Sequence, residues 1–148
     1  LLVMFDLMAI AKVAEPLFVL RMPAALSKVR PWELTSDLYR QLGVRLFGKM
    51  LRNSPLRFLN KGVYLGAGAE DLDSLCRRVA SAEATHFWAA LLFMAYIGYL
   101  YLSGRPQFAT GFLAVQVLFN LYPILHLRLM RARLESILRR RKVGSCRH

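Results

Sequence analysis

The chain has 148 residues, 56% of them hydrophobic, with 21 Lys and Arg against 9 Asp and Glu for a formal net charge of +12. So apolar a composition excludes a disordered basic tail, so basic a balance is foreign to an ordinary soluble domain, and two cysteines, Cys76 and Cys146, are too few for a disulfide-stapled secreted fold. The class left is an all-α integral membrane protein, a single membrane domain over residues 1–148 with strongly basic water-facing parts.

Residues 1–20 are apolar but interrupted by Asp6, Lys12 and Glu15, and Pro16 follows. A span, a re-entrant segment and a peripheral helix all fit. A signal peptide fits less well, because the basic leading region and small-residue cleavage site are missing. A third, N-terminal span is expected here, with its charged side chains facing other helices or an interface.

Residues 31–85 read as a water-side amphipathic region. Pro31-Trp32-Glu33 is a helix start, with proline fixing the entry and an acid in the first turn. Leu34, Leu38, Leu42, Leu46, Phe47, Met50 and Leu51 recur at helical spacing, and Arg40, Arg45, Lys49 and Arg52 lie mainly off that stripe. One amphipathic helix from Glu33 to Leu51 is therefore expected at the membrane surface. The stretch 53–68 holds Pro55, Gly62, Gly66 and Gly68 and reads as loop. A further helix is expected from Glu70-Asp71, running unbroken through Glu83 and His86 into the membrane. Leu72, Leu75, Cys76 and Val79 form its apolar stripe, which Glu83 and His86 continue.

The cleanest signal is a transmembrane hairpin at 86–127. Phe87–Ser103 and Gln107–Leu127 each lack Asp, Glu, Lys and Arg, and Gly104-Arg105-Pro106 between them is a turn by composition. Each run is about 20 residues, roughly 30 Å as a helix, which matches the hydrocarbon core. The last helix is expected to continue past Arg128 into a basic tail over residues 128–148. Eleven basic residues lie between Arg21 and Arg78 and eight from Arg128 to Arg147, against Arg105 alone in the turn. The positive-inside rule then puts both flanks and the C-terminus in the cytoplasm. The basic tail reads first as an anchor gripping phospholipid. No nucleic-acid module accompanies its arginines, so nucleic acid is not an expected partner.

In an antiparallel hairpin, residues equally far from the turn lie at equal depth. This reckoning sets His86 level with residues 123–124 and gathers Glu83, His86, Asn120, Tyr122, His126 and Arg128 as candidates near one boundary. Three readings of Glu83 and His86 at i, i+3 stay open. They could be half of a metal set, although a di-metal site needs two such motifs and two more acids. His86 could be a general base oriented by Glu83, activating a hydroxyl for attack on an acyl group, with Asn120 or Arg128 steadying the oxyanion. Or the group is a polar network that only fixes helix packing. No P-loop, dinucleotide fingerprint, nucleophile elbow or paired-cysteine motif is present, so no metal or cofactor is expected.

Ala82-Glu83-Ala84-Thr85-His86-Phe87-Trp88, then two spans, then Asn120-Leu-Tyr-Pro-Ile-Leu-His-Leu-Arg128-Leu-Met-Arg131-Ala-Arg133-Leu134, resembles the glycosyl-diaponeurosporenoate acyltransferase family of staphyloxanthin-type carotenoid synthesis. Trp32-Glu33 and the segment Tyr39–Lys49 resemble that family's Glu-led amphipathic stretch, so the likeness runs over residues 31–140. It implies acyl transfer from a thioester or lipid donor to a sugar hydroxyl on a carotenoid or other lipid, with His86 and Glu83 catalytic and Asn120, Arg128, His126 and Tyr122 binding. Where the family reads Gln-Arg-Tyr-Asn-Arg, this chain has Leu127-Arg128-Leu129-Met130-Arg131.

That loss of polar groups carries an alternative: a non-catalytic accessory subunit of a larger photosynthetic or respiratory membrane complex. Its hairpin aromatics, among them Phe87, Trp88, Phe93, Tyr96, Tyr99 and Tyr101, would pack against partner helices, lipids or pigment. A membrane-surface lipid-binding adaptor is a third reading, resting on the basic tail.

Overall fold

The computed structural model describes residues 21–30, 33, 37–54 and 72–145. The expected N-terminal span (1–20), the Pro31-Trp32 start and all but the first residues of the 53–68 loop lie outside them. The described residues are helical, with no strand among them. In chain order they form α1 (Ala24–Ser27), α2 (Leu38–Gln41), α3 (Val44–Asn53), α4 (Leu72–Leu102), α5 (Pro106–Gln116), a π-helical turn at Val117–Leu121, and α6 (Tyr122–Ser145). Two compact units result. One contains Ser81–Ile124 with Arg21 and Met22, and the other the described residues of Pro23–Ala80 and Leu125–His148.

The first unit is the hairpin. Its turn follows from two residues. Gly104 adopts φ +72°, the left-handed conformation that a side chain resists, at the position just past the helix end. Its N–H bonds the Tyr101 carbonyl (3.2 Å) and the Arg105 N–H bonds the Leu100 carbonyl (3.0 Å), which satisfies two of the terminal carbonyls of α4. Pro106 then opens α5 where its missing N–H costs nothing. Ile97, Leu100 and Ala109 pack together beneath the turn with Phe112 against them, and Tyr96 meets Phe112 edge to face at 5.5 Å. Further from the turn, the Trp88 indole N–H reaches the Arg21 carbonyl (3.2 Å).

The outer surface of this hairpin is apolar and open. Leu92 and Tyr101 are each 68% exposed and Leu102 88%, with Leu91, Met94, Tyr99, Phe108, Leu113, Leu118 and Leu121 exposed beside them. α4 and the run Pro106–Arg140 are each long and apolar enough to cross a membrane. Water would penalise so continuous an apolar surface; hydrocarbon would not. The two helices and the turn between them form a hairpin long and apolar enough to span a membrane.

In the second unit, the single helix expected from Glu33 to Leu51 is two. Gly43, at φ +68°, breaks it, and α2 and α3 lie on either side. The leucine spacing runs straight across Gly43 and so conceals the break. The kink also changes which residues are buried. Tyr39, Val44 and Gly48 are buried and Phe47 is half-buried, while Leu38, Leu42, Leu46 and Met50 of the expected stripe are exposed. α3 thus has three sectors: Val44, Phe47, Gly48 and Leu51 inward, Arg45, Lys49 and Arg52 on one flank, and Leu46 and Met50 on the other. The inward sector packs on α6, where Tyr39 and Val44 cluster with Leu129 and Leu125.

Candidate functional site

Each unit contains one polar cluster built from sequence-expected residues, and the two differ in chemistry. In the hairpin, His86 on α4 faces Asn120, with the ring Nδ1 and the amide Oδ1 3.3 Å apart. Asn120 Nδ2 donates to Gln116 Oε1 at 2.7 Å, and Gln116 Nε2 donates to the backbone carbonyl of Ala90 at 2.8 Å. Asn120 is fully buried and Gln116 nearly so. Two amides buried in an apolar span are costly unless paired, and here each hydrogen-bonds the next.

The backbone explains why Asn120 lies in this row. Pro123 has no N–H to offer the carbonyl four residues earlier, so the regular ladder cannot continue there. The helix widens instead into the π turn, in which the Tyr122 N–H bonds the Val117 carbonyl. Such turns re-aim side chains and recur at functional sites. The contact of His86 with Asn120 falls about one turn nearer the hairpin turn than the equal-depth reckoning places it, a diagonal reach rather than a level one.

Glu83, one turn before His86 on α4, is fully buried, and Tyr122 is half-buried. Leu75 and Val79 are buried on the same stripe, as the spacing requires. Thr85, between Glu83 and His86, turns its hydroxyl back to the Ser81 carbonyl at 3.0 Å and so spends its donor within the helix.

The second cluster centres on Arg128. Its guanidinium grips Glu33 through two parallel bonds, Nε to Oε2 and Nη2 to Oε1, each 2.9 Å. It also donates to the carbonyls of Leu26 (2.7 Å) and Lys28 (3.0 Å). Glu33 is 1% exposed and accepts a further bond from the Arg30 N–H at 3.1 Å. A forked guanidinium–carboxylate pair of this kind is strong and directional. It ties the Leu26–Glu33 segment to α6.

His126, two residues earlier, is buried with its ring close against Gly48: a Cβ there would stand 2.5 Å from His126 Cε1. Phe47 meets the same ring edge-on at 6.2 Å. Glycine at position 48 is what lets α3 approach so closely.

Of the six candidates, the structure brings His86 and Asn120 into contact and gives Arg128 protein partners of its own. Gln116 escaped the sequence reading, and Glu33 was read there as a first-turn acid of a family-like stretch but not as the partner of Arg128. Gln116 left a signal, since it precedes Asn120 by four residues on the same face of an apolar span. The pairing of Glu33 left none, since its partner lies 95 residues away. Among the described residues no three His, Cys, Asp or Glu side chains gather as a metal would need.

The family model for glycosyl-4,4'-diaponeurosporenoate acyltransferase matches residues 23–140. The match takes in every segment on which the sequence resemblance rests, and the helix pair that carries the polar row. No curated protein and no solved structure matches the chain.

Proposed function

Because the chain belongs to the glycosyl-4,4'-diaponeurosporenoate acyltransferase family, we propose that it transfers an acyl group to a sugar hydroxyl of a carotenoid glycoside or similar glycolipid in a bacterial cytoplasmic membrane. The flanks of the hairpin and the C-terminus lie on the cytoplasmic side in this reading, because the basic residues crowd there and not at the turn. The observation that carries the reaction is the contact between His86 and Asn120 inside a membrane hairpin. It sets the commonest proton-transfer side chain against a fixed amide in a region where polar side chains are rare and often functional.

His86 is the general base. It takes the proton of the acceptor hydroxyl as that oxygen attacks the acyl carbonyl carbon of a thioester or lipid-ester donor. The tetrahedral intermediate then collapses, the bond to the donor's thiol or alcohol breaks, and the imidazolium returns the proton to that leaving group. One ester forms, one thioester or ester is consumed, and nothing is oxidised or reduced. Asn120 holds the ring. Glu83, buried a turn away on the same helix, is the other catalytic candidate. Tyr122 is the candidate for binding the acceptor. Arg128 and His126, spent on Glu33 and on Gly48 within their own unit, serve as scaffold.

The test is to express the chain with its native membrane substrates and replace His86 with Ala. The acylated glycolipid, followed by mass spectrometry, should disappear while the unacylated glycoside accumulates. Undiminished acyl product would remove His86 from the mechanism. Co-purification in fixed ratio with a large bioenergetic complex, without acyl transfer, would favour the accessory-subunit reading instead.

A further inference from the structure

The row of hydrogen bonds in the hairpin has a direction, and its origin is a group that cannot reverse. A backbone carbonyl only accepts. The Ala90 carbonyl therefore requires Gln116 to present its NH2, at 2.8 Å. That turns Gln116 Oε1 away, where it accepts from Asn120 Nδ2 at 2.7 Å. Asn120 must then present Oδ1 to the histidine, and an amide oxygen facing Nδ1 at 3.3 Å needs a proton on Nδ1. We infer that Gln116, anchored on the Ala90 carbonyl, is a positioning residue that fixes His86 in the Nδ1–H tautomer and so makes Nε2 the basic nitrogen.

The alternative tautomer is disfavoured at each link. With the proton on Nε2, the Nδ1 lone pair would face the Asn120 oxygen. Turning Asn120 over would then set its NH2 to His86 and its oxygen against Gln116 Oε1. Turning Gln116 over in response would put two carbonyl oxygens together at Ala90. Both amides are buried, so no water is at hand to relieve any of these clashes. Fixing a neutral imidazole tautomer through the other ring nitrogen is how catalytic and metal-bound histidines are oriented generally. Here the orienting group is a neutral amide rather than a carboxylate, so it sets direction without adding charge to the span.

The role of Gln116 in rate rests on the proposed acyl transfer, but the tautomer does not, and the two are separable by experiment. The full chain, with its histidine rings labelled with 15N, is purified into phospholipid nanodiscs. Ring-nitrogen spectra are recorded at alkaline pH, where neutral imidazole dominates, and the His86 signals are assigned by their loss in His86→Gln. The native protein should show a protonated Nδ1 and an unprotonated Nε2 at His86. Gln116→Leu should convert this to a mixture of the two tautomers and lower kcat about ten- to a hundredfold with KM little changed, within the roughly 10²–10⁴-fold that general-base catalysis supplies.

A native His86 carrying its proton on Nε2 overturns the inference with no variant needed. So does a Gln116→Leu protein whose His86 keeps an undiluted Nδ1–H signature. If instead the tautomer behaves as stated while His86→Gln retains full acyl transfer, the inference stands and the catalytic reading falls.

Discussion

The two polar clusters differ in the group on which each ends. Arg128 and Glu33 form a closed clasp: the guanidinium does not deprotonate, and its bonds end on a buried carboxylate and two backbone carbonyls. The row from Ala90 through Gln116 and Asn120 ends on an imidazole, the one side chain whose ordinary titration lies near neutrality. Both clusters satisfy groups that would be expensive to bury alone. Only one ends in an imidazole, the side chain used most often to pass a proton during a reaction. Burial and polarity therefore do not by themselves mark a site; what the last member of a network can do chemically separates a brace from a base.

Variants of the hairpin row should cost rate and variants of the clasp should cost stability, and that division can be broken. Among the amides of the row, the largest effect on rate is expected at Asn120→Leu. It should lower kcat about a hundredfold, as loss of a base's orienting partner does, and shift the melting temperature of the detergent-solubilised protein far less than clasp variants do. A large melting shift with an unchanged rate per folded molecule would make Asn120 a packing residue.

Next is Glu33→Gln. It leaves the Arg128 charge with half its fork and should destabilise by about 3–5 kcal/mol, read from chemical unfolding in mild detergent. The double variant Glu33→Gln, Arg128→Met should recover part of that loss. If the two single costs simply add, the forked pair is not what holds the segment.

Gly48→Ala sharpens the comparison from the side of shape. A methyl group pressed into the His126 ring should cost about 1–3 kcal/mol, and His126→Ala in the same chain should relieve most of it. The smallest effect belongs to Gly43→Ala, about 1 kcal/mol from the left-handed backbone alone, since nothing stands within 4 Å of a Cβ there. Neither change should alter kcat per folded molecule. A lost kcat in either would tie the packing of α3 on α6 to the reaction.

How much of this was legible beforehand depended on how local each cause is. The hairpin was, because uncharged runs of membrane length and a Gly-Arg-Pro turn are signals contained in a few neighbouring residues. The unbroken passage of α4 from Leu72 past His86 to Leu102 was legible for the same reason. The break at Gly43 was masked by leucines spaced four apart on both sides of it. The π turn followed from Pro123, but a proline in a span announces a disturbance without saying whether it will bend, stop or widen the helix. The contact of His86 with Asn120 was legible as a neighbourhood and not as a pair, since equal depth fixes a level only to about a turn. The grip of Arg128 on Glu33 was hidden entirely: nine acids for 21 bases leave many possible pairings, and only the fold selects one.

The most direct trial of the central claim is turnover by the purified chain alone. The protein, reconstituted in phospholipid nanodiscs, is given a labelled acyl thioester and a carotenoid or lipid glycoside, and ester formation on the sugar is timed for the native chain and for His86→Gln at matched folded concentration. The account predicts steady ester formation by the native protein and a rate at least about a hundredfold lower in the variant. A native chain that forms no ester with any acyl donor, or a variant that keeps pace with it, would contradict the assignment of this hairpin as the seat of acyl transfer.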